Sequence, residues 1–97
     1  MRIVNYHPKV PAEVRLFIDH YDAISSDLGA WFWLELTEAT SYACEYPERR
    51  HFDHTGLRRS NLKRFPIHFL YRILSGAIHT TAVRHDRQDS CYGSRRQ

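Results

Sequence analysis

The apolar positions of this chain change their period twice, and the changes divide it into elements. Ile3, Val4 and Tyr6 alternate loosely across Arg2–His7, which predicts a short first strand. Pro8 and Pro11 then bracket a helix entry, Pro11 being suited to the first helical position, where its missing N–H costs nothing. Val14, Phe17, Ile18, Tyr21 and Ile24 recur at intervals of three and four and give that helix one apolar stripe. Ser25, Ser26 and Asp27 offer capping oxygens to a second helix that runs to about Tyr46. Its apolar positions are Leu28, Phe32, Leu36, Ala39, Ala43 and Tyr46, with Glu35, Glu38 and Glu45 mostly turned away, and Pro47 stops it.

Beyond a polar loop at residues 48–56 the period shortens to two. Strands are expected at about Leu57–Arg64, Ile67–Leu74 and Ala77–Arg84, punctuated by Phe65-Pro66 and by a Ser75-Gly76 hairpin turn. Pro66 cannot donate to a ladder and so marks a strand start or an edge. The stretch Ile67–Leu74 has apolar groups on both faces, as a central strand needs with helices on one side and another cover on the other. The expected order is βααβββ, an α+β fold in which an N-terminal strand and a helical hairpin pack on a small, mainly antiparallel sheet. The whole chain, 1–97, reads as one domain, with 88–97 a polar and only partly ordered tail.

Composition narrows the class. A chain of 97 residues buries about two thirds of its unfolded surface, enough for one two-layer core and no separate substrate domain. Its 42% hydrophobic and 13% aromatic content argues against wholesale disorder. No apolar run approaches the roughly 18 residues that a membrane helix needs, and the first residues lack a secretion signal. Cys44 and Cys91 share no motif spacing, which suits free thiols in a reducing cytoplasm. No Gly-rich phosphate loop, nucleophile elbow or Cys-His pairing is present, and His51 and His54 lack a second ligand pair at metal-binding spacing. No metal or cofactor is therefore expected.

Charge adds an asymmetry that the net value of +3 hides. Residues 1–48 carry three Lys or Arg against eight Asp or Glu, whereas residues 49–97 carry eleven against three. A molecule split this way presents one half to an anionic partner, either nucleic acid or an acidic peptide.

An ordered set of short motifs spans nearly the whole chain. It comprises Leu28-Gly29 with Phe32, Glu35 and Leu36, then Pro47, Leu57-Arg58-Arg59, Leu62 and Arg64-Phe65-Pro66. Tyr71-Arg72 and Ala82-Val83-Arg84-His85-Asp86-Arg87 complete it. The set resembles the RelE/ParE toxin superfamily, and its Arg-Phe-Pro turn and His-x-Arg strand end are closer to the ParE branch. The chain departs from that pattern at Ile67, where Tyr is usual, and at Gln88, Ser90 and Gly93, which replace a second Arg, a Pro and a Trp.

The resemblance implies the toxin of a bacterial type II toxin–antitoxin, or plasmid-stabilisation, system that is neutralised by a cognate antitoxin. A ParE-like member inhibits DNA gyrase by a protein contact and needs no catalysis. Arg58, Arg59, Lys63, Arg64 and Arg72 would supply the target- or antitoxin-binding surface, joined by Trp31 and Trp33 from the helical hairpin. A RelE-like member instead cleaves mRNA in the ribosome. It would draw on His68 and His85 as base and acid, with Arg84, Arg87 and Tyr92, since imidazoles titrate near neutral pH and cations stabilise a phosphorane. Operator DNA would be reached only through the antitoxin. A non-toxic module that binds an antitoxin or nucleic acid is an alternative of another class. The residues alone leave these readings open, and with them whether the protein is an enzyme.

Overall fold

A computed structural model describes residues 3–88 and 91–96; the Arg2 start of the first strand and Asp89, Ser90 and Gln97 of the tail lie outside them. The elements run β1 (Ile3–Tyr6), α1 (Val10–Ile24), α2 (Leu28–Glu45), a 3-10 turn (Pro47–Arg49), β2 (Arg58–Asn61), β3 (Ile67–Leu74) and β4 (Ala77–His85). This is the βααβββ order expected from the periodicity. The strands form one mixed sheet in the order β1-β4-β3-β2. β1 runs parallel to β4, while β2–β3 and β3–β4 are antiparallel.

Helix ends differ in detail from the sequence reading. Pro11 sits in the first turn of α1, but neither helix has a side-chain N-cap; Ser25 Oγ instead accepts from the Asp27 amide at 3.4 Å, within the link between the helices. β2 is also shorter than Leu57–Arg64. Leu62 and Phe65 leave the strand to enter the core, and the intervening turn is held from α2, where Glu35 Oε1 accepts from the amides of Lys63 and Arg64, both at 3.0 Å. Glu35 therefore faces the sheet and is not turned away as its charge suggests.

The helical hairpin covers one face of the sheet. Phe32 and Leu36 of α2, with Val10 of α1, meet Ile67, Phe69, Tyr71, Ile78 and Val83. Phe65, the residue before Pro66, inserts between Tyr21 and Phe32, its ring centre 4.8 and 5.7 Å from theirs. The Phe-Pro turn is thus a core anchor as well as a strand start. Tyr71 reaches across the core and donates to the Pro47 carbonyl at 2.7 Å, fixing the 3-10 turn to the sheet. Among the described residues no helix is long and apolar enough to cross a membrane.

The opposite face carries His68, Leu70 and Arg72 of β3 beside Ala82 and Arg84 of β4. Its cover is the loop around Asp53 together with residues 91–96. Gly93, at φ +75°, lies so close to β4 that a Cβ there would stand 2.6 Å from the Ala82 Cβ. The segment 88–97, read from sequence as a loose tail, thus contains a part that packs against the sheet.

Candidate functional site

Two polar clusters organise the face that the helices leave open. The first begins with a register fact. His68 lies opposite Arg84, so both side chains leave the sheet on the same side, and both are almost completely buried. Arg84 Nε donates to His68 Nε2 at 2.8 Å, which makes that nitrogen the acceptor and puts the ring proton on Nδ1. Nδ1 then donates to Asp86 Oδ1 at 2.7 Å. Burial, the largest influence, holds the imidazole below its ordinary pKa; the bond to Asp86 opposes it, while Arg59 and Arg84 act in the same direction as burial. The His68–Asp86 contact is consequently a hydrogen bond from a neutral ring and not an ion pair.

Arg84 spends its other nitrogens as well. Nη1 donates to the Tyr92 carbonyl at 2.8 Å and Nη2 meets Asp53 Oδ2 at 3.3 Å. Burial pushes the Asp53 carboxyl up, but bonds from the Thr55 hydroxyl and amide, with Arg84 nearby, bring it below its usual value. The cluster thereby ties together β3, β4, the 53–55 loop and the C-terminal segment.

The second cluster closes an open sheet edge. β1 pairs with β4 only as far as Thr80, so the rest of β4 has no strand on that side. Glu13 of α1 fills the gap. Its Oε1 accepts from the Val83 amide at 3.1 Å, and its Oε2 accepts from the Tyr92 hydroxyl at 2.6 Å and from Arg96 Nη1 at 2.7 Å. Arg96 also donates to the Thr81 carbonyl at 3.2 Å, and Arg72 donates to the Arg96 carbonyl. The bond to Glu13, the largest influence, raises the Tyr92 pKa, so the phenol stays protonated as a donor. Sequence reasoning missed Glu13. Its partners are 70 to 83 positions away, and its only local mark is to stand one residue before the apolar Val14.

The expected catalytic residues are therefore not gathered into one accessible centre. His68 and Arg84 are adjacent but sealed, and Tyr92 is committed to Glu13. His85, opposite Ile67, projects on the other side of the strand from His68 and Arg84; its Nδ1 accepts from the amide of the exposed Arg87 at 3.0 Å. The basic residues are also spread. Arg59 shares the open face and reaches Asp86 at 3.3 Å and Asn61 at 2.8 Å. Arg58, its neighbour on β2, projects to the other side and donates to the Arg50 and Glu48 carbonyls. Lys63 and Arg64 sit on the exposed β2–β3 turn, Arg64 being 3.7 Å from Glu35. Trp31 and Trp33 are both about half exposed on α2.

Trp33 borders a groove of about 540 Å³ between α1 and α2. Val10, Val14, Ile18 and Leu36 form its walls, Phe69 and Val83 its floor, and Tyr6 of β1 one end. Arg15 is its only charged lining residue. The groove thus offers apolar surface beside the edge strand β1.

No protein-family model matches the chain, and no curated protein matches it. Among solved structures, a chain from the "Chromosomal ParDE TA system from P. aeruginosa" is similar to it with a TM-score of 0.74 and 17% sequence identity, over 88% of this chain and 96% of that one. The protein shares the α+β fold of that chain, with two helices on a four-stranded mixed sheet. The similarity extends over nearly the full length of both chains, so the helical hairpin and the sheet belong to one shared architecture.

Proposed function

We propose that this protein is the toxin of a bacterial type II toxin–antitoxin system, that a cognate antitoxin neutralises it, and that it inhibits DNA gyrase by binding without catalysis. The observation that carries the choice of mechanism is the internal commitment of His68 and Arg84. Catalysis of RNA cleavage needs a base and a cation within hydrogen-bond reach of a 2′-hydroxyl and its phosphate. Here the imidazole is buried, neutral and bonded on both nitrogens, and the guanidinium is spent on His68, Tyr92 and Asp53. Such a constellation holds a fold together. What the molecule offers to partners is surface: the apolar groove with Trp33, and the cations of the second half.

The antitoxin is proposed to seat an amphipathic helix in the α1–α2 groove, where an apolar stripe at three- and four-residue spacing would replace water over Val14, Ile18 and Leu36. The ParDE description of the similar structure supports a two-component system of this kind. The deciding experiment pairs two assays on the purified protein. Gyrase supercoiling should be blocked, and mRNA in a translation reaction should stay intact. Codon-specific cleavage abolished in His85→Ala or Arg87→Ala would replace the gyrase reading with a ribosomal one. Normal growth of cells expressing the protein alone would remove both toxin readings.

A further inference from the structure

Two groups of arginines stand apart in this chain. Arg15, Arg59, Arg64, Arg84 and Arg96 each face a carboxylate. Arg49, Arg50 and Arg58 form no ion pair among the described residues, and these three are contiguous in space. Each lies over an aromatic ring, as the ion-paired Arg96 also does over Tyr92. The guanidinium carbon of Arg49 is 3.9 Å from the Tyr46 ring centre, that of Arg50 is 4.5 Å from Tyr42, and that of Arg58 is 4.2 Å from Phe52. Tyr42 and Tyr46 touch one another at 5.3 Å between centres, and Arg58 Nη1 bonds the Arg50 carbonyl at 2.8 Å. The six residues form one continuous run from the end of α2, past the 3-10 turn, to the start of β2.

Stacks of this kind occur roughly once in 70–80 residues of ordinary structure, so three in one corner demand an explanation other than chance. Packing does not supply one. Phe52 is 62% exposed and Tyr46 36%, so the Arg58 and Arg49 stacks bury little ring surface, while Tyr42 and Arg50 are half-buried. A guanidinium held flat on a ring is preorganised and offers a second face and its remaining edge donors to a ligand, Arg58 having spent Nη1 on the Arg50 and Glu48 carbonyls.

We infer that this corner binds single-stranded nucleic acid, with phosphates on Arg49, Arg50 and Arg58 and bases stacked on the exposed rings of Phe52 and Tyr46. Two features favour this ligand over an acidic peptide. Exposed flat rings add affinity for a planar base and none for a carboxylate. Glu45 and Glu48 stand among the arginines in sequence and oppose a densely acidic helix, whereas a strand with spaced phosphates and intervening bases can bridge them. The inference stands apart from the toxin reading, since it uses neither the α1–α2 groove nor the His68–Arg84 cluster.

Fluorescence polarisation tests it, using the full-length protein and a labelled oligouridylate of about 12 nucleotides, within the usual site size for unstructured strands. Binding is expected at about 50 mM salt, weakening steeply towards about 200 mM. Phe52→Ala should reduce affinity about fivefold or more through loss of stacking. The double variant Arg49→Gln/Arg50→Gln should flatten the slope of log affinity against log salt by about 1.4, which is about 0.7 for each phosphate that is no longer neutralised. Arg15→Gln, on α1, should leave binding unchanged. Thermal unfolding checks each variant, and Phe52→Ala keeps the test decisive if the double variant fails to fold, because that ring lies at the surface. Absence of binding at low salt would overturn the inference, as would equal losses in Arg15→Gln. Displacement of the RNA by polyglutamate of the same length at equal charge would assign the corner to acidic peptides instead.

Discussion

At the scale of single residues, three of the side chains that look catalytic in sequence, His68, Arg84 and Tyr92, are ones the fold uses internally. Arg84 is the clearest case. Truncating it to Ala leaves the Asp53 carboxylate buried without its cation and strips His68 Nε2 and the Tyr92 carbonyl of their donor. The expected loss is about 3–5 kcal/mol, the scale for breaking a buried pair on one side, and chemical denaturation measures it. A role in catalysis alone predicts unchanged stability. His68 gives a pH signature. Its folded-state pKa lies below the unfolded value of about 6.5, so between the two the unfolded chain binds the extra proton and stability rises with pH. Unfolding midpoints should therefore fall as pH drops below about 6.5, and His68→Gln should show a flatter dependence over that window. Equal slopes in the two proteins would mean that the ring is not held neutral. Asp53 acts in the same direction in a lower pH window. Its depressed pKa stabilises the fold above the usual carboxylate range, and that contribution disappears as pH falls through the lowered value.

At the scale of elements, the C-terminal segment behaves as a strap over the open face. Gly93 is its tightest point, with a left-handed φ of +75° and no room for a Cβ beside Ala82. Gly93→Ala combines a backbone penalty of about 1 kcal/mol with that clash, so a loss of about 1–3 kcal/mol is expected. Faster amide exchange in residues 91–96, with the helices still protected, would mark local release; exchange as slow as in the parent would show that the strap tolerates the added methyl. The contrast between this strap and the helical hairpin explains what was legible in the sequence. Val14, Phe17, Ile18 and Tyr21 announce α1 because a buried stripe repeats within a few residues, and Ser75-Gly76 announces its hairpin for the same local reason. The strap depends on Glu13, Arg72 and Arg84 meeting Tyr92, Gly93 and Arg96, and no local pattern encodes partners 8 to 83 positions apart. Parallel pairing of β1 with β4 was hidden for the same reason. Among the candidate site residues, identity was readable but burial was not: the alternation of Ile67–Leu74 puts His68 opposite the helices, and only the distant strap closes over it.

At the scale of the whole molecule, charge and apolar surface are separated. The acidic first half contains the helical hairpin and its groove, while the basic second half builds the sheet edge and turn beyond it. The proposed antitoxin can use both, by laying an apolar helix stripe in the groove and directing acidic residues towards the cations. Trp33 separates that interaction from stability and from toxicity. About half its surface is exposed, so replacing it removes little core packing, yet it forms a wall of the groove, where a partner helix would bury it. Large aromatic side chains buried at the centre of an interface cost about 2 kcal/mol or more when truncated, roughly a thirtyfold loss of affinity. Trp33→Asp adds a desolvated carboxylate and should weaken antitoxin binding further, while its unfolding midpoint stays near that of the parent. Calorimetric titration with the protein encoded beside it checks the affinity, and growth on co-expression checks the consequence: the variant should escape neutralisation and remain toxic. An unchanged affinity would take the groove out of the antitoxin interface and leave the cationic half as the docking surface. A variant that lost toxicity while still binding its antitoxin would place Trp33 on the surface that meets the proposed target.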